Sequence, residues 1–149
     1  LEHTMPGPAP TGDFEAGDPL VATPVDAGDV LANIGTGDAL VLDARDPARF
    51  RGDPNPIDPV AGHIPGARNR CFRDNIDDKG RFRPAQDLAD DFTALLKGKP
   101  AMLSCGSGVT ACHNALAMEI AGLPGARLYP GSWSEWISGP ARPVETGEG

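Results

Sequence analysis

The chain has 149 residues, 13 Lys+Arg against 21 Asp+Glu, a formal net charge of −8 and 40% hydrophobic residues. That length suits one domain with a core that needs no disulfide staples, and no apolar run exceeds four residues, which excludes a bilayer-spanning helix. An acidic chain with one Arg-rich segment, residues 45–83, lacks the broad basic face that nucleic acid requires but suits a few arginines gathered around a small anion.

Residues 1–23 are rich in Pro and Gly and read as a linker. Leu1 to Met5 lacks the basic start and apolar stretch of a secretory signal and fits a native terminus or appended sequence equally. The domain proper is expected over 24–138. Asp26 to Ile34 has capping residues and a modest helical pattern. Leu40-Val41-Leu42 before Asp43 predicts a buried strand. Pro84 to Leu96 is the clearest helix, with Pro in its first turn and Leu88, Phe92, Leu95 and Leu96 at helical spacing. Ala101 to Ser104 predicts a second buried strand. Val109, Cys112, Leu116, Ile120 and Leu123 form an apolar stripe, which predicts a helix with Cys112 in the core. Arg127-Leu128-Tyr129 is a third strand candidate, Ser132 to Ser138 a short aromatic helix, and 139–149 a flexible tail. Strands alternating with helices predict an α/β fold, a mainly parallel sheet with helices on both faces.

The chemistry concentrates in Leu103-Ser104-Cys105-Gly106-Ser107-Gly108-Val109-Thr110. A buried strand ends at a cysteine, a glycine-rich turn follows, and a helix begins. Ligands of open α/β sheets sit outside the carboxyl ends of the strands, where Cys105 falls. Glycines 106 and 108 free backbone N–H groups to point inward, and the helix start adds its positive end; both lower a thiol's pKa and hold an attached anion. A cysteine phosphatase would carry Arg six residues after the nucleophile, and Ala111 stands there. A zinc site from Cys105, Cys112 and His113 lacks the paired close spacing of such sites, so no metal and no organic cofactor is expected. Cys71 lies in the Arg-rich loop, open to solvent on this reading, with nothing nearby to activate it. Three cysteines in a chain that is not cysteine-dense point to a reducing cytoplasm.

The loop Cys105 to Thr110 resembles the active-site loop of rhodanese-type sulfurtransferases, and its Gly-Ser-Gly-Val-Thr form that of the 3-mercaptopyruvate sulfurtransferases. Leu42-Asp43-Ala44-Arg45 through Gly62-His63-Ile64-Pro65-Gly66-Ala67-Arg68-Asn69 resembles the first motif of that family, and Tyr129 to Trp136 its C-terminal one. The resemblance implies a persulfide on Cys105, loaded from a small anionic sulfur donor and passed to a thiol or cyanide. It implies that loop N–H groups over Gly106, Ser107, Gly108, Val109 and Thr110 hold the outer sulfur. It further implies that Ser107 bonds substrate or relays a proton, and that Arg49 binds the donor carboxylate. Asp43 and Arg45 are expected to pair with each other, and His63 to fix a turn. A second substrate arginine about nine residues after the first is missing here, where the chain reads Pro56-Ile57-Asp58. Such enzymes are usually tandem, so an N-terminal rhodanese-like domain is the expected partner, with neither nucleic acid nor membrane involved. The alternative reading is a non-catalytic rhodanese-like binding or regulatory module.

Overall fold

A computed structural model describes residues 7, 8, 10–13, 15, 24–139 and 141–149, so the linker expected over 1–23 lies largely outside the described residues. Four strands, β1 (Leu40–Asp43), β2 (Arg68–Asn69), β3 (Ala101–Ser104) and β4 (Arg127–Leu128), form one parallel sheet in the order β2-β1-β3-β4. Side chains alternate across a strand, and the two central strands are apolar on both faces, as a sheet covered on both sides demands. Val41 and Met102, paired in register, face a core with Val30, Phe50, Tyr129, Trp133 and Trp136. Leu42 and Leu103, the next pair, face a second core with Leu88, Phe92, Ala111 and Met118.

Helices α1 (Ala27–Thr36), α2 (Pro47–Arg51) and α5 (Ser132–Ser138) supply the first core; α3 (Ala85–Leu96) and α4 (Val109–Ile120) supply the second. Asp26 caps α1 reciprocally with Asp29, and Gly37 ends it in the left-handed conformation. The turn after β1 holds the short α2, with Pro47 at its start, and this helix carries Arg49.

Three expectations are corrected. The stripe chosen for α4 is its outer face: Val109 is 73% and Leu116 52% exposed, Ile120 also meets solvent, and Cys112 is exposed. The buried face is Ala111, Asn114, Ala115, Ala117 and Met118. Small residues let α4 lie close to β3, so close approach decided the inward face over side-chain size. Cys71 is buried rather than open to solvent, at the start of a 3-10 turn over Phe72–Asn75. The tail is bound rather than loose. His63 and Glu145 exchange backbone hydrogen bonds of 2.8 and 2.9 Å, Gly147 N–H donates to the Arg51 carbonyl, and Trp136 Nε1–H donates to the Pro143 carbonyl. Proline and glycine content predicted the lack of helix there, but cannot foresee pairing with a distant turn.

Candidate active site

Cys105 follows the last residue of β3 and is fully buried at its root. Helix α5 clamps the loop from one side. The Cys105 carbonyl accepts Trp133 N–H at 2.9 Å, and the Gly106 carbonyl accepts Ser134 N–H at 2.9 Å and Ser134 Oγ–H at 2.7 Å. Cys105 N–H donates to Ser132 Oγ at 3.0 Å, and that hydroxyl donates onward to the Tyr129 carbonyl. Ser132 does this from a left-handed backbone, φ 51°, which non-glycine residues adopt rarely. Gly108 is required twice over. Its φ is 86°, and a Cβ there would lie 2.5 Å from the Pro130 carbonyl oxygen.

This turn sends Gly108 N–H back to Cys105 Sγ at 3.1 Å. Burial by itself would push the thiol up. The Thr110 hydroxyl, together with the N–H groups of Ala111, Ser107 and Gly108, outweighs it and holds the thiol below its ordinary value. The start of α4 adds its positive end to the same cradle. The cradle favours the thiolate form over what burial alone would allow.

Above the sulfur lies a cavity of about 240 Å³, lined by Arg49, Ile57, Asp58, Cys105, Gly106, Ser107, Val109, Thr110 and Trp133 among others. Arg49, Cys105, Gly106, Ser107, Val109 and Thr110, singled out in the sequence, meet at this one place; Gly108 sits behind it, with its N–H on the sulfur. A larger, mainly apolar cavity, about 470 Å³, opens at the other end of β3 beside Leu96, Lys99 and Leu123, and has no cysteine in its lining.

A chain of charges closes one wall. Arg45, buried, chelates Asp43, with Nη2 to Oδ2 at 2.7 Å, gives another Nη2 bond to the Gly62 carbonyl and lies over the Trp133 ring. Its Nη1 is 3.5 Å from Asp58, which grips Arg49 through Nε at 2.7 Å and Nη2 at 2.6 Å. Burial would raise the Asp58 carboxyl, but Arg49 and then Arg45 hold it below the usual range. Asp58 in turn raises the Arg49 guanidinium further above its ordinary value. His63 packs flat on Phe50, its Nδ1 2.7 Å from the Phe50 carbonyl, and shapes the turn rather than the cavity. Sequence reasoning missed Asp58, Ser132 and Ser134. The signal for the serines was available: two hydroxyls two residues apart at the start of a helix, beside glycine. For Asp58 there was none, because its partner lies nine residues away across a proline-rich loop.

Among the described residues, no group of three or more His, Cys, Asp and Glu is placed to hold a metal ion, and no helix is long and apolar enough to cross a membrane. A parallel α/β sheet with a depressed-pKa cysteine in a glycine loop at its carboxyl edge defines a class of covalent, sulfur-centred sites. Within that class the chain belongs to the rhodanese-like domain family, whose model matches residues 26–138.

The chain is 52% identical over 140 residues to a Pseudomonas aeruginosa protein named "Probable 3-mercaptopyruvate sulfurtransferase", covering 92% of this chain and 49% of that one. It is 38% identical over 112 residues to human 3-mercaptopyruvate sulfurtransferase, covering 72% and 38% respectively. The crystal structure of the Saccharomyces cerevisiae Tum1 protein superposes with a TM-score of 0.71 at 28% identity, over 85% of this chain and 47% of that one. The chain thus spans half or less of the length of each of these relatives.

Proposed function

We propose that this domain transfers a sulfane sulfur, taken from 3-mercaptopyruvate or, less readily, thiosulfate, through a persulfide on Cys105 to a thiol or cyanide acceptor. The observation that carries this reading is the Cys105 sulfur under converging N–H and hydroxyl donors at the floor of a cavity that also holds Arg49. The thiolate attacks the donor's sulfur, and an S–S bond forms as the donor's C–S bond breaks. The electron pair leaves with the donor carbon as the enolate of pyruvate, which takes up the proton that the donor's own thiol gives up; with thiosulfate the bond broken is S–S and sulfite leaves with the pair. The outer sulfur, now anionic, stays within reach of the N–H groups that had stabilised the thiolate. An acceptor nucleophile attacks it, and Cys105 leaves as thiolate again, so two half-reactions share one site. In this proposal Arg49 binds the donor carboxylate through its free edge, and Ser107 bonds the substrate or passes a proton; both line the cavity, which supports the assignment.

The reading predicts a pH signature. Because Cys105 titrates below an ordinary thiol, kcat/KM should rise with pH as the thiolate forms and level off earlier than a free cysteine would allow. Thr110→Ala removes the first of the groups that favour the thiolate, so its rising limb should move to higher pH, with a several-fold loss along that limb and little change on the alkaline plateau. Alkylation rates across pH measure this directly. An unmoved limb contradicts the role given to Thr110.

A second rhodanese-like domain, N-terminal to residues 24–138, is part of the same proposal. Ile57, 66% exposed, and Val109 stand apolar in the cavity lining, and the matched relatives are about twice as long or longer. Covering that mouth would exclude water and strengthen each polar contact inside. Joining such a domain should raise kcat/KM by at least about tenfold, while persulfide loading of this chain alone survives. Equal kcat/KM in the two forms would show that the cavity needs no cover.

A further inference from the structure

The wall that carries Arg49 has an electrostatic consequence beyond holding a donor. Asp58 takes the arginine side-on, through Nε and one Nη2 hydrogen. This leaves Nη1 and the outer edge of Nη2 free, and that edge faces the loop: a Cβ on Gly106 would stand 3.0 Å from Nη2. Asp58 therefore aims the guanidinium while cancelling its charge. Among the described residues lining the cavity, Arg49 and Asp58 are the charged side chains. Arg45 behind them is matched by Asp43. Arg49 and Asp58 sum to zero, so the lining offers an incoming anion no net positive charge.

A cavity whose guanidinium is cancelled discriminates by donor charge. Coulomb attraction to an uncancelled guanidinium would scale with the charge brought in, so its cancellation by Asp58 costs a dianion twice what it costs a monoanion of the same reach. Directional N–H donors offset the cost for either, but do not remove the difference between them.

We propose that Asp58 is a specificity-determining residue, which orients Arg49 and neutralises it so that the site favours donors with a single carboxylate over dianionic inorganic donors such as thiosulfate. The inference rests on the sulfur-transfer reading above, and it places selectivity in an acid at the cavity wall rather than in the glycine loop alone.

The test is the ratio of kcat/KM for thiosulfate to that for 3-mercaptopyruvate, with cyanide as the shared acceptor, in the unaltered chain and in Asp58→Asn. Asparagine keeps the shape and deletes one negative charge, so both donors should gain, the dianion more. The ratio should rise about tenfold, mostly through the KM for thiosulfate. A merely structural role would lower both donors together and leave the ratio where it was. An unchanged or lower ratio in a variant that still loads Cys105 overturns the proposal. Because Asp58 also faces Arg45, Ile57→Lys serves as a second variant; it adds a positive charge at the exposed lining without touching the ion pairs. It should move the ratio the same way by several-fold, and should Asp58→Asn fail to fold, an unmoved ratio in Ile57→Lys overturns the proposal. If the unaltered chain forms no persulfide on Cys105 with either donor, the sulfur-transfer reading fails first and this inference falls with it, a result distinct from normal loading with an unmoved ratio.

Discussion

Cys105→Ser is expected to lower sulfur transfer by at least about a thousandfold, the scale seen when a covalent nucleophile is removed. The reason is chemical before it is structural. A serine hydroxyl ionises far less readily than a thiol held below its ordinary value, and its oxygen forms no stable counterpart of a persulfide. The loop itself should persist, because its hydrogen bonds run from the backbone of residues 105 and 106 to Ser132, Trp133 and Ser134. Cys112→Ser is the matched control. Its side chain is exposed and donates only to the Gly108 carbonyl, which a hydroxyl also does, so activity should hold. Cys71→Ser should likewise keep loading, at a stability cost of about 1–3 kcal/mol for a hydroxyl in a buried site. Initial rates with mercaptopyruvate and cyanide, beside unfolding curves, separate these outcomes. Substantial turnover in Cys105→Ser would refute the nucleophile assignment.

Arg45→Met is expected to cost about 3–5 kcal/mol of stability. Both members of its pair with Asp43 are almost wholly buried, so removing the arginine strands a carboxylate away from water. The same change strips Asp58 of its second cation and leaves the Gly62 carbonyl without its guanidinium donor. Surface pairs such as Arg81 with Asp77 give no such penalty, since water screens them. Urea unfolding with an unchanged m-value would report the loss cleanly. Adding Asp43→Leu to Arg45→Met should restore part of it, because the stranded charge is then gone. A loss below about 1 kcal/mol in the single variant would mean that the pair is not buried in solution.

Much of the architecture was readable from the chain because its signals are local. Leu40–Asp43 and Ala101–Ser104 announce buried strands by short apolar runs before polar turns, and α3 by its spacing after Pro84. The placement of Cys105 followed from the order strand, glycine turn, helix. What failed was non-local. Spacing identified an apolar face on α4 but not which face points inward, since the alanine side packs closer to β3 than the larger side chains could. The two-residue strand Arg68–Asn69 has no pattern of its own and exists through pairing with Leu42 and Asp43. Short α2 went unread for the same reason, although it delivers Arg49 to the cavity. Asp58 emerged as the arginine's partner only once the loop between them was folded.

The most direct measurement of the central claim is intact-mass analysis of the chain after incubation with 3-mercaptopyruvate and removal of excess donor, followed by peptide mapping without reductant. The account predicts one added sulfur atom per chain, carried on the peptide containing Cys105 and lost on exposure to cyanide. No added sulfur, or sulfur carried on Cys71 or Cys112 instead, would contradict it.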